Sequence, residues 1–450
     1  MRKNDVKRIN RNLFNIFALF TREPFARFIS KELDFFSNLD YSVIGLILLD
    51  YTDNNYTCIL LSRDISRQYR AENLKVDIKT LQQAEKWIIE NLNNSVIVHH
   101  DNKTEFFDIF KEEVNEKQRH PYFDLLKNSI ALSSAKETIK EISYHYKDID
   151  GNFIQQFQSI NGFDARLWEI YLFCLCREEY FSFKRNKNAP DFMIEKNNVE
   201  IAIEAVTIGR NKNTEINEKK FKPKSLTEIN EELKNEMPLK FGSVLFDKLK
   251  KEYWKKEHVI GKPFIIAVAD FHDTMSMTWS FPALIDYIFG YRYEHWHNDK
   301  GELIIKPVKI NEFIKKTGAT VPAGFFFQPK TENISAIIFS STATLSKFNR
   351  MGKQAGLGSN KSNIMRIGTC HNFEKNASKP NLFQYQVNEN CKELWSEGVS
   401  IFHNPNALIP LNPELFPSVA HHFFKDENIE SFFPDFYPYS SMNQNIVIKE

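Results

Sequence analysis

The chain contains no run of eighteen apolar residues, so the sequence offers no membrane span and no membrane partner is expected. Cysteine is scarce. The five, Cys58, Cys174, Cys176, Cys370 and Cys391, are scattered, and Cys174 and Cys176 stand two apart on an expected helix, facing different ways. They form neither a paired CxxC zinc set nor a disulfide framework, and a reducing, cytoplasmic location is expected. Charge of one sign is missing too. The 59 basic and 58 acidic residues leave a net charge of +1, so a nucleic-acid surface would have to be a local patch. The histidines stand alone or in pairs (His99-His100, His295 and His297, His421-His422), with no HExxH and no His/Cys cluster that would hold zinc. No P-loop and no nucleophile elbow occurs. The N-terminal "MRKNDVKRINRNLFNIFALF" has an apolar part that Asn15 interrupts and no small-residue cleavage site. It reads as a basic amphipathic helix, with a signal peptide set aside.

What is present is a globular composition, 42% hydrophobic and 26% charged, on 450 residues, enough for two or three domains. Residues 1–150 read as a small α+β domain. It holds a hairpin at 42–62, a helix in "LQQAEKWIIENL", a short strand in "SVIVHH" and two helices between 120 and 146. Asp148 and Asp150 before Gly151 read as a turn, since the spacing fails for a calcium loop. Residues 151–290 change pattern. A helix apolar nearly all round, "NGFDARLWEIYLFCLCREEYF", precedes three short strands, "FSFKR", "PDFMIEK" and "VEIAIEAVTI". A lysine-rich linker at 210–240 follows, then the amphipathic helix "FGSVLFDKLKKEYWKK" and the apolar strand "KPFIIAVADFH". Residues 291–450 form an extension that continues this core, with scattered helices, a strand at 334–341 and many proline turns.

Acids stand where apolar residues would be at home. Asp191 opens one strand and Glu204 lies inside the next, and a lone buried carboxylate costs several kcal/mol. Alternation puts Glu200 and Glu204 on one face of their strand, with Glu200 nearer the turn. Glu169 interrupts the apolar helix. It is either a third site acid or a buried partner of a backbone group or of Arg166. Asp270 and His272 close the last strand and read first as turn residues.

The order helix, three strands, helix, strand, with Pro190-Asp191 and Glu204, resembles the PD-(D/E)XK nuclease superfamily over residues 160–275. The resemblance implies an α/β, restriction-endonuclease-like αβββαβ core with N- and C-terminal additions, α+β overall. It implies a nuclease that uses Mg²⁺ or Mn²⁺ and acts on nucleic acid, DNA first and RNA as the alternative. Asp191 and Glu204 would bind the metal, and Glu169 would assist them by contacting the metal or its water. Two carboxylates with retained waters suit Mg²⁺, and a bound cation can activate water and neutralise phosphate. The motif lysine is absent, because its place is Val206. Lys248, at the flank of the apolar stripe of the next helix, can run along that surface and deliver its charge inward. It is the candidate replacement, with a solvated lysine as the plain alternative. A role in prokaryotic defence, gated by a protein partner or by self-association, extends this reading. The alternative is a nuclease-fold protein without catalysis that binds nucleic acid or protein.

Residues 334–373 contain no Asp or Glu. Lys347, Arg350, Lys353, Lys361 and Arg366, with several glycines, read as a basic glycine-bearing loop over 345–368 that can approach phosphate.

Overall fold

The run "SVIGLILL" alternates too little to leave one face wet, so its strand is covered on both sides. The computed structural model, which describes residues 6–18, 21–92, 107–146, 151–184, 189–210 and 224–448, shows how. Strands β1 (Val6–Arg8), β2 (Ser30–Asn38), β3 (Val43–Asp50), β4 (Tyr56–Arg63) and β5 (Tyr69–Ile78) form an antiparallel sheet in sequence order. The hairpin turns where Asp50 accepts from the Thr52 N–H and Asn54 takes φ 57°. Helix α1 (Arg11–Ala18) and the short α2 (Ala26–Ile29) lie toward one face, and α3 (Leu81–Leu92) covers the other. Gly45 lets α3 approach, since a Cβ there would lie 3.1 Å from Ile88 and Leu60. The basic N-terminal segment is therefore a strand followed by a helix. Leu13, Phe14, Ile16 and Phe17 of that helix are buried in the core. The strand expected at 95–100 with His99 and His100, the turn at Asp148 and Asp150, and residues 211–223 of the linker expected at 210–240 lie outside the described residues, and from Leu226 onward that expected linker is helix instead.

Helices α4 (Pro121–Asn128), α5 (Ser133–Ser143), α6 (Phe153–Gln158) and α7 (Phe163–Glu178) share one core with the strands that follow. Phe123, Leu126, Ile139 and Ile142 pack there, so residues 107–143 join the main body and the expected boundary at 150 is not a break in packing. Then come β6 (Ser182–Phe183), β7 (Phe192–Lys196) and β8 (Val199–Ile208), an antiparallel meander. α8 (Leu226–Glu231) starts from a Ser225–Glu228 capping box and leads through a π-helical turn into α9 (Met237–Leu249). β9 (Phe264–Asp270), buried along its length, returns parallel to β8. With α8, the π-helical turn and α9 taken as one unbroken helix, the order from α7 to β9 is α-β-β-β-α-β, within a mixed α/β molecule.

After α10 (Phe281–Phe289) the chain is mostly strand, where scattered helices were expected. Two hairpins follow, β10 (Tyr291–His297) with β11 (Leu303–Lys309) and β12 (Glu312–Ile314) with β13 (Thr320–Pro322). β14 (Ala336–Ser340) joins β9 in parallel, then α11 (Leu345–Gln354) leads to β15 (Ser362–Cys370) and β16 (Asn381–Gln386). β17 (Val399–His403), β18 (Ala420–Lys425) and β19 (Asn428–Phe432) extend the central sheet, and β20 (Pro438–Val447) pairs with β15. The central sheet runs β19-β18-β17-β14-β9-β8-β7-β6, and a separate sheet runs β16-β15-β20. No helix among the described residues is long and apolar enough to cross a membrane.

Candidate active site

Asp191 directly precedes β7, whose Phe192 pairs with Ile203 of β8, so the pairing sets Asp191 beside Glu204. Asp191 Oδ2 accepts from the Ala205 N–H at 2.7 Å. Its carboxyl is pushed up to about 8, first by burial, then by the charges of Glu204 and Glu169. Glu204 is buried, and its Oε1 accepts from Lys248 Nζ at 2.6 Å and from the Tyr253 hydroxyl at 2.9 Å. Its Oε2 is buried with no hydrogen-bond partner.

Lys248 reaches Glu204 because α9 buries Phe241, Leu245 and Leu249 and leaves the lysine at the flank. Gly242 sets how closely α9 packs, since a Cβ there would stand 2.7 Å from the Tyr287 ring. Glu252, with φ 48°, follows the end of the helix, and the next residue, Tyr253, reaches back to Glu204. Tyr253 therefore belongs to the site although helical spacing alone gives no sign of it. Val206, two residues after Glu204, packs against the core beside Val268.

Glu169 is buried on α7 and its Oε2 accepts from Arg166 at 2.6 Å and from the Tyr146 hydroxyl at 3.0 Å. Burial raises its pKa, and Arg166 and Tyr146 offset part of that rise. This is the arginine pairing open in the sequence, and it leaves Glu169 acting on Asp191 through its charge. Glu200 sits at the strand edge in ion pairs with Lys184 and Lys262, whose hydrogen bonds hold its carboxyl down at about 2. Asp270 and His272 are buried at the end of β9, with the His272 Nδ1 at 2.7 Å from Asp270 Oδ1.

Among the described residues, no three His, Cys, Asp or Glu side chains are grouped as a metal cage. Three buried or half-buried acids face one ammonium and one guanidinium, and Glu204 keeps an unpartnered oxygen. Asp191 and Glu204 suit a hard cation that retains its waters.

The basic loop expected over 345–368 is corrected by the structure. It is α11, a short turn and β15. Lys347, Arg350 and Arg366 are fully buried and turned inward. Glu393 Oε1 pairs with Lys347 at 2.8 Å, and both its oxygens accept from Arg350 at 2.8 Å. Arg366 donates to Glu397 Oε2 at 2.9 Å. Lys353 is half-buried and only Lys361 is exposed. Guanidinium groups this deeply buried and paired with carboxylates are out of reach of a phosphate backbone, although Arg366 Nη2 has no hydrogen-bond partner. No family model, no curated protein and no solved structure matches the chain.

Proposed function

We propose that the protein is a metal-dependent nuclease that hydrolyses phosphodiester bonds of DNA or RNA. The observation that carries this reading is the Asp191–Glu204–Lys248 cluster: an acid just before β7, an acid on the neighbouring β8 and an ammonium 2.6 Å from the second. The α-β-β-β-α-β order around the cluster supports it, as does the unpartnered Glu204 oxygen. A Mg²⁺ or Mn²⁺ ion held by Asp191 and Glu204 would supply charge neutralisation at the phosphate and an activated water. Lys248 brings a positive charge to the reacting group and orients Glu204, taking the part of the lysine missing at Val206. Tyr253 donates to the same Glu204 oxygen as Lys248 and so leaves the other oxygen for a cation, and Glu169 adds negative charge that strengthens the site's demand for one. A role in prokaryotic defence is the biological extension of this reading.

The test is cleavage of plasmid, linear duplex, single-stranded DNA and RNA, each with Mg²⁺, Mn²⁺ or EDTA. Metal-dependent cutting that is lost in Asp191→Ala and Glu204→Ala is the expected result. Equal cutting by parent and variants overturns the assignment. Binding of nucleic acid without cutting under every condition favours the non-catalytic reading.

A further inference from the structure

A second site lies far along the chain from these acids. Between α1, α2 and the open face of β3–β5 is a cavity of about 630 Å³, within the range of small-molecule pockets. Its floor is apolar, formed by Leu46, Leu48, Ile59 and Leu61. One end is cationic, with Arg11, Arg22, Arg27 and Lys31 set against the carboxylates Glu23 and Glu32.

Arg22 is the telling residue. Its side chain is only 10% exposed, yet its Nε and Nη1 have no hydrogen-bond partner. The Nε lies 2.7 Å from Glu32 Oε1 without the alignment a hydrogen bond needs. Glu32 is shared, because Arg11 also donates to it at 3.1 Å. Arg27 stacks 3.8 Å above the Tyr180 ring, and burial together with Arg22 pulls its pKa down to about 10. Glu32 is thus divided between buried Arg22 and exposed Arg11, which leaves the Arg22 charge incompletely compensated, and a bound anion relieves that.

We propose that this pocket binds a small phosphorylated ligand of the mononucleotide class, its phosphate on Arg27 in the field of Arg22 and its base on the Leu46–Leu61 floor. The apolar floor beside a cationic end suits a flat ring joined to a phosphate, and bare phosphate would leave the floor unused. The proposal stands apart from the nuclease reading.

The test is calorimetric titration of the full chain in EDTA with AMP, GMP, CMP, adenosine and inorganic phosphate. At least one nucleotide is expected to bind and to raise the melting temperature. Adenosine and phosphate are each expected to bind about tenfold or more weakly than that nucleotide. Arg27→Gln at the rim is expected to weaken binding about tenfold, and Leu48→Trp, which fills the floor, to abolish it. Both variants are checked for parental circular dichroism. No nucleotide binding by the folded parent overturns the proposal. So does nucleotide binding that neither variant changes, and so does phosphate binding as tight as the best nucleotide.

Discussion

Glu204 and Asp191 show how one environment sets two roles. Glu204 has an ammonium and a phenol on one oxygen, whereas Asp191 has a single backbone N–H and two acidic neighbours. Asp191, raised to about 8, holds a proton at pH 7 when no cation is bound. A carboxyl raised on folding contributes stability below its unfolded pKa, and loses it as pH climbs through the folded value. Asp191→Asn is therefore expected to stabilise the metal-free protein relative to the parent, by on the order of 1–2 kcal/mol at pH 8 and by little at pH 4. Urea unfolding in EDTA across that range checks it, and a difference that shrinks toward pH 8 contradicts it. Lys248→Met leaves Glu204 buried with only Tyr253. It is expected to cost about 2–3 kcal/mol, discounted because the lysine is partly exposed, and to reduce cleavage more than nucleic-acid binding. Both acids were legible as misplaced charges, and Lys248 as a long side chain at the edge of a stripe. Tyr253 was not, because a left-handed residue after the helix sets its direction.

At the scale of elements, α9 is placed by a missing side chain. Gly242→Ala puts a Cβ 2.7 Å from the Tyr287 ring and forces α9 away from α10. The expected cost is about 1–3 kcal/mol of stability, together with a drop in metal-dependent cleavage as Lys248 moves with the helix. Thermal melting and cleavage of the same preparation check both, and full activity at lower stability would show that α9 does not position the lysine. α11 and β15 carry a different lesson. Lys347, Arg350 and Arg366 looked like a phosphate surface because no acid stands near them in sequence. Their partners, Glu393 and Glu397, lie outside the acid-free window of 334–373 and arrive only through the fold. Burial first opposes the Glu393 charge, and Arg350, Lys347 and Arg366 together pull its pKa far below the usual carboxylate value. Glu393→Gln is expected to cost about 3–5 kcal/mol in urea unfolding, with little effect on nucleic-acid affinity. A large loss of affinity at unchanged stability would restore the surface reading. The polar strands β15, β16 and β20 escaped the sequence reading for a related reason. "NLFQYQ" is largely exposed, so hydrophobic alternation does not mark it strongly as a strand.

At the scale of the whole molecule, acid stability is contested. Burial holds His120, His403 and His422 neutral, each pulled down to about 3. Such a group stabilises the fold above its unfolded pKa near 6.5, and that contribution is lost as pH falls toward 3. The raised carboxyls Asp164, Glu179 and Asp286, at about 6, 7 and 6, act in the opposite sense over part of the same window. The overall curve is therefore expected to be shallow, and one histidine's share is read by difference. His403→Gln is expected to gain on the parent as pH drops from 6.5 to 4, by up to about 1.4 kcal/mol per unit, measured by urea midpoints. A constant difference would contradict it.

The central sheet draws its strands from distant parts of the chain. Asp191, Glu204 and Lys248 are all synthesised before β14, which covers the open side of β9, and before β17 and β18, which extend the sheet beyond it. A ribosome that stops at residue 330 releases a chain with every candidate catalytic group and an apolar strand edge bare. Such an edge pairs with other chains before it completes itself. Unfinished copies would therefore be lost to aggregation and proteolysis, and any cutting activity would be confined to chains whose translation has passed β18.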